Sequence, residues 1–544
     1  MGSPARVRRA VAACPRCFIE APEAPMKEAP METVRDTPAS PPSDGLTGAL
    51  ATIGNGAAVR AGSRVLITAC TFMTTALVVR ATGAERYGAL AFGLSMVGLI
   101  AGLFAGLGTA STRSIAAALA RGDRPDHVIR ALSAVVIVMT GLGAAGLLAA
   151  VALTQRQLDA SDVWVLGASM GVLLLGRIAA TAGSSVARGV GRVGLMEIPP
   201  TVEVGAKLVL VVALLVVAGR QGWVSLAVVY AGAGLAATVA AVAVVRRALG
   251  TLGVMAPSPR AGVDLVRVTA PYVVGAVAYR LVHGFDVAVL GVFHPGAAVG
   301  SYAPTLALVE GLVMLVPGLL SAMFVTVATG LHETGDRKSF GDVYLSVSKV
   351  SVVLAMPAFT VLAIAPTEAL QLVYGARFPA SPIVVWILLA GYFVTVALGF
   401  NGQALVASGA WSTLGKALVL PAVAMVATAL ALIPLWGAAG AAVATTISFG
   451  VLNASLSVAL HRTTGVHPGQ VDRALVLGTA PIAIVVSAAV WNLVGGGFWI
   501  AAGCSFIGWG AWLGIVFSTR SLRLEELKAL RPRMRHRDRK ADPR

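Results

Sequence analysis

The chain has 544 residues, 57% of them hydrophobic and only 12% charged, with a mean hydropathy of +0.82. A soluble protein of this length could not hide so much apolar surface, so its main solvent is lipid. The net charge of +17 would suggest nucleic acid in a soluble chain. Here the basic residues gather in tails and short loops, where membrane topology accounts for them, and no nucleic-acid-binding module accompanies them.

Residues 1–56 are rich in Pro, Ala, Glu and Ser and read as a disordered cytoplasmic arm without the apolar core of a signal peptide. Met26 and Met31 are alternative starts within it. Cys14 and Cys17 form a single CxxC with no second ligand pair at zinc spacing, so no metal is expected. Cys70 and Cys504 sit in apolar runs as small hydrophobes.

From residue 57 on, apolar segments of membrane-spanning length follow one another: 58–80, 89–111, 131–153, 163–186, 201–218, 223–245, 268–293, 301–330, 346–366, 382–407, 414–436, 438–460, 474–494 and 498–517. At about 20 residues per crossing these predict an all-α polytopic membrane protein of about fourteen helices. Basic residues alternate between the loops. Sixteen, from Arg113 to Arg473 and including Lys349, fall in one set, and only Arg80, Arg86, Arg156, Arg220 and Arg377 fall in the other. The positive-inside rule makes the first set cytoplasmic, and an even number of spans puts both termini there.

"TGAERYGALAFGLSMVGLIAGL" (82–103) and "HPGAAVGSYAPTLALVEGLVML" (294–315) align without gaps, superposing Gly88 on Gly300. Six spans separate the copies, so they are parallel, as in transporters with two bundles around a central cavity. The predicted organisation is a six-helix lobe over 57–245, a basic cytoplasmic linker over 246–267, and a second lobe over 268–460. Two extra helices over 461–517 and a basic cytoplasmic tail over 518–544 complete it.

Charged groups inside these spans stand out, because each costs roughly 3 kcal/mol at a helix centre on insertion scales. The stretch "AYRLVHGFDVAVLG" (278–291) holds Arg280, His283 and Asp286 three residues apart, on about a third of one helix surface. The first span carries Arg60 and Arg64 at i and i+4, continued by Thr68, Thr71 and Thr75 on nearly the same face. Arg177, Glu310, Asn401, Gln403 and Asn453 add polar groups in other spans, and Glu203 and Lys207 form a local i, i+4 pair. Two readings of this set stay open. In one, Arg280 pairs with Asp286 or Glu310 and the amides tie helices together. In the other, Arg60, Arg64, Arg177 and Arg280 outnumber the carboxylates and line a cavity for an anion. Asp286 and Glu310 are open to two roles, coupling of a proton or sodium ion and pairing with Arg280, and His283 to titration or spacing. Prolines at 271, 304, 317, 357, 421 and 481 permit bends.

No Walker loop, HExxH or GxSxG motif is present, and the loops are short, so no enzymatic chemistry and no cofactor are expected. "VVRATGAERYGALAFGLSMVGLIAGLFAGLGTASTRSIA" (78–116) resembles the start of lipid-linked oligosaccharide flippases. These form the polysaccharide transporter family within the multidrug/oligosaccharidyl-lipid/polysaccharide exporter superfamily. "FDVAVLGVFHPGAAVGSYAPT" (285–305), "VYGARFPASPIVVWIL" (373–388) and "WGAAGAAVATTIS" (436–448) resemble later segments of the same family. The resemblance implies a two-lobed exporter of fourteen helices that moves polyprenyl-diphosphate-linked sugars across the cytoplasmic membrane by alternating access. It implies a cationic cavity, carried onto Arg60, Arg64, Arg280 and Asp286, and polysaccharide assembly proteins as partners. A peptidoglycan-precursor flippase and a drug/cation antiporter of the superfamily remain alternatives, as does a membrane polymerase or ligase of lipid-linked glycans.

Overall fold

The structure is a computed structural model that describes residues 43–155, 158–218, 223–249, 258–466 and 471–519. The CxxC, most of the N-terminal arm, the middle of the basic linker and the basic tail lie outside the described residues. The chain divides into the units Met1–Thr52 and Ile53–Arg544, and every site residue discussed below lies in the second.

Every regular element among the described residues is a helix, as lipid demands of a chain whose backbone groups must bond internally. The first set comprises α1 (Ser43–Ala120), α2 (Asp126–Thr154), α3 (Ala160–Gly189), the single turn α4 (Val193–Met196), α5 (Ile198–Ala218) and α6 (Trp223–Leu249). Next come α7 (Pro259–Val282), α8 (Phe285–Phe293), α9 (Ala297–Val313), α10 (Leu315–Glu333), α11 (Arg337–Ile364) and α12 (Pro366–Tyr374). The chain ends in α13 (Pro382–Leu398), α14 (Phe400–Ala407), α15 (Trp411–Ala417), α16 (Val419–Thr464), α17 (Val471–Val494) and α18 (Phe498–Ser518).

Among the described residues ten helices are long and apolar enough to cross a membrane, or eleven with the bent pair of α7 and α8. Two of them, Val65–Ala120 and Trp411–Thr464, run to 56 and 54 residues and each holds two crossings. They change direction at Gly83 (φ 77°) and Gly437 (φ 54°), left-handed backbone that favours glycine. The shorter apolar helix Ala297–Val313 continues into α10, and Gly478–Val494 lies within α17. The pattern agrees with the fourteen expected crossings.

Three details differ from the linear reading. The span expected over 268–293 is broken: its two halves are bent by 57° between Val282 and Phe285. The span expected over 301–330 is kinked at Met314, between α9 and α10. Lys349, counted among loop residues, is buried in α11, twelve residues beyond its start. At 1.5 Å per residue that is ~18 Å along the helix; the helix begins well before its apolar run does.

Helices α2, α3, α5 and α6 pack on one another, α16 packs on α8 and α13, and α17 and α18 form a pair against α11. The two aligned repeats meet face to face. A methyl group on Gly88 would lie 2.0 Å from the carbonyl oxygen of Gly296, and one on Gly300 would lie 1.5 Å from that of Ala84. Gly88 aligns with Gly300, and Ala84 with Gly296. The two contacts are therefore one contact seen from either copy, the signature of a local two-fold axis. Polar bonds flank this seam. Gln155 Nε2 donates to the carbonyl of Gly291 at 3.3 Å, and Arg80 Nε to that of Val373 at 2.8 Å. Arg80 also bonds the carbonyl of Leu372.

Candidate functional site

The break between α7 and α8 sets the geometry of the polar stretch. His283 ends α7 with its backbone N–H still bonded to Tyr279 at 3.2 Å. Its ring stacks on that of Tyr279 at 4.2 Å between centroids, lies 5.4 Å from that of Phe449, and sits 3.0 Å from the Tyr279 carbonyl through Nδ1. His283 thus packs against two aromatic rings at the bend. Gly284 then leaves the helix, and α8 begins again with Asp286 in its first turn, where unpaired backbone N–H groups favour a carboxylate.

The bend separates the charged residues that a straight helix would have kept together. Asp286 is 1% exposed. Its Oδ2 accepts from Tyr302 Oη at 2.6 Å and Thr445 Oγ1 at 2.8 Å, which joins α8 to α9 and α16. The hydroxyls of Tyr302 and Thr445 are themselves 3.2 Å apart. Asp286, expected as a partner of Arg280 and a contributor to the anion site, instead anchors the bend among hydroxyls. Burial in a hydrogen-bonded pocket is the physical reason.

Arg280 occupies the last turn of α7. Its side chain is exposed although it lies within a spanning helix, and protein surrounds it on several sides, with Arg177 and Glu310 within electrostatic reach. Glu310 in α9 is likewise exposed, accepts a hydrogen bond from Tyr392 of α13, and feels the charge of Arg280. Arg280 and Glu310, both exposed and within electrostatic reach of one another, border a cleft between α7 and α9. Of the ion pairs within 4 Å among the described residues, none involves Arg280.

Across the cleft, Arg177 of α3 behaves differently. Its Nε donates to Glu203 Oε1 at 3.1 Å, and the same oxygen accepts from Lys207 Nζ at 3.2 Å. Glu203 and Lys207 are buried, while Arg177 keeps 30% of its side chain exposed. Lys207 also lies 5.4 Å from the ring centroid of Tyr230, close enough for a cation–π contact. The local pair read from the sequence thus exists, and Arg177 completes it as a triad. The groups that keep exposed surface here are Arg280, Glu310 and part of Arg177, while Glu203 and Lys207 are buried.

Asn401 is buried. It receives the Tyr344 hydroxyl on Oδ1, and its Nδ2 donates to Ser457 Oγ at 2.8 Å and the Asn453 carbonyl at 3.4 Å. It ties α11, α14 and α16 together. Gln403 is half-buried in α14. The backbone of Arg60 and Arg64 lies in α1; their side chains are outside the described residues.

Sequence reasoning missed Gly102, Tyr302, Tyr392 and Thr445. Gly102 left a trace, since Gly98, Gly102 and Gly106 recur every four residues along one face of α1. The hydroxyl residues left none, because serines, threonines and tyrosines are scattered through every span.

In fold, the chain is similar to the lipid II flippase MurJ in an inward closed conformation, with a TM-score of 0.64 at 12% identity, over 84% of this chain and 99% of MurJ. It is similar to an inward-facing multidrug resistance MATE family transporter of the MOP superfamily, with a TM-score of 0.58 at 16% identity, over 75% and 98% of the two chains. A MOP superfamily transporter from Pyrococcus furiosus gives a TM-score of 0.51 at 15% identity, over 76% and 96%. No curated protein matches the chain in sequence. The class is accordingly an all-α, multi-pass membrane protein with the transporter fold of MurJ and the MATE proteins. Residues 53–329, just over half of the chain, match the family described as polysaccharide biosynthesis protein (Polysacc_synt), and the chain belongs to that family.

Proposed function

We propose that the protein is a flippase that moves a polyprenyl-diphosphate-linked oligosaccharide across the cytoplasmic membrane for cell-surface polysaccharide synthesis, with both termini cytoplasmic. The observation that carries this reading is the cleft itself. Arg280 and Arg177 approach it from different halves of the chain, and Arg280 has no ion pair among the described residues. A guanidinium set inside a membrane protein, with Glu310 near but no carboxylate within 4 Å among the described residues, suits a phosphate ligand, which it can bind through paired N–H donors.

The diphosphate binds Arg280 and the exposed part of Arg177, with Arg60 and Arg64 of α1 completing the head-group site. The polyprenyl tail stays in lipid, so only the polar head needs a water-lined path and the cost of dragging charge through hydrocarbon is avoided. Glu310 is the internal counter-charge that Arg280 faces when the cleft is empty. Rocking of the two halves about the seam at Gly88 and Gly300 then exposes the head group to the other side. Polysaccharide assembly proteins are the partners that would consume the exported glycan.

Export is measured in cells and in proteoliposomes. Arg280→Ala lowers the rate at least about tenfold, the scale of one lost hydrogen bond to a charged group, and Arg280→Lys restores part of it because the planar fork is missing. Wild-type rates for both variants overturn the reading. A peptidoglycan-precursor flippase is a second reading, favoured by the similarity in fold to MurJ over 84% of the chain. Mass spectrometry of the co-purifying lipid separates the two by the sugars it carries.

A further inference from the structure

Arg280 owes its place to a residue with no side chain. Gly102 is buried in the second half of α1, and the stem of Arg280 lies directly against it. A methyl group built there would be 2.1 Å from Arg280 Cγ, 2.7 Å from Cδ and 2.8 Å from Nε. All three distances are far inside van der Waals contact. One turn earlier on the same face, the corresponding position at Gly98 has nothing within 4 Å.

We infer that Gly102 is a positioning residue for anion binding: its bare backbone is the notch that aims the guanidinium of Arg280 into the cleft. The inference rests on the reading of Arg280 as a head-group ligand. The atoms that would collide are near the root of the side chain, so the flexible tip cannot relieve the clash. A methyl at 102 forces a change at χ1 or χ2 of Arg280, and such a change swings the whole planar head. Long cationic side chains in membranes pack their stems on apolar surface and present the head to a polar space, and here the notch is that surface.

The test is a double-mutant cycle on the full chain in proteoliposomes, with fluorescent undecaprenyl diphosphate as the probe and its half-saturating concentration as the readout. Gly102→Ala raises that concentration about tenfold, Gly98→Ala leaves it unchanged, and Gly102→Ala adds nothing in an Arg280→Ala background. If Arg280→Ala weakens binding and Gly102→Ala does not, or if the two effects add, Gly102 acts through packing alone and the inference is overturned. If Arg280→Ala itself changes nothing, the flippase reading fails first. Should Gly102→Ala not fold, Arg280→Ala in that background decides. Recovery of a monodisperse protein identifies the arginine stem as the obstacle, and no recovery rejects the inference.

Discussion

Both halves of the chain bury carboxylates, and Glu203 in one and Asp286 in the other are held in opposite ways. In the N-terminal half, Glu203 holds two cations, Arg177 and Lys207, on one oxygen. In the C-terminal half, Asp286 holds two hydroxyls, Tyr302 and Thr445. The first arrangement stores charge in the membrane by mutual neutralisation. The second stores a carboxyl group without using up a cation, and so leaves Arg280 to the cleft. The polarity of the candidate site follows from this asymmetry more than from the number of arginines.

The comparison is most exposed to substitutions at the two carboxylates. Glu203→Gln strands Arg177 and Lys207 without their counter-charge, and breaking a buried ion pair from one side costs about 3–5 kcal/mol. Thermal unfolding of the detergent-solubilised protein should show a large loss, and the amount in the membrane should fall with it. A wild-type melting curve for Glu203→Gln would mean that the triad is solvated and the contrast with Asp286 is empty.

The seam comes next in size. Gly300→Ala places a methyl where only 1.5 Å separates it from the Ala84 carbonyl, so the halves must part there. In a chain whose four cysteines are replaced by serine, a cysteine introduced at Gln155 is the reporter, since Gln155 is buried and bonds across the seam. Its maleimide labelling should rise several-fold in Gly300→Ala. Unchanged labelling would show that the seam yields locally, without moving the halves.

Asp286→Asn is expected to have the smallest effect, because an amide oxygen still accepts from Tyr302 and Thr445. Side-chain hydrogen bonds between membrane helices are worth only about 1 kcal/mol, so its melting shift should be a fraction of that for Glu203→Gln. An equal or larger shift would make the charge of Asp286 essential and remove the distinction between the halves.

What could be read without a structure was local. The spans, their alternation with basic loops and the Glu203–Lys207 pair all depend on neighbours within one helix or loop. The repeat was legible as an alignment, yet an alignment does not say that the copies touch. The hydroxyl partners of Asp286 were not legible because they come from α9 and α16, and the bend at His283 and Gly284 was not visible in composition.

The sequence by itself determined an all-helical protein of many membrane crossings and marked the residues that lipid would not tolerate. It could do so because burial in a bilayer imposes a length and a polarity on each segment independently of the others. Only the tertiary structure decided which charges are spent on one another and which are left to face the cleft. Arg177 meets Glu203 across 26 residues, Asp286 meets Thr445 across 159, and Arg280 rests on Gly102 from another helix altogether. Such partners are chosen by how helices pack and bend, and a periodic pattern along one helix carries no record of what lies on the next.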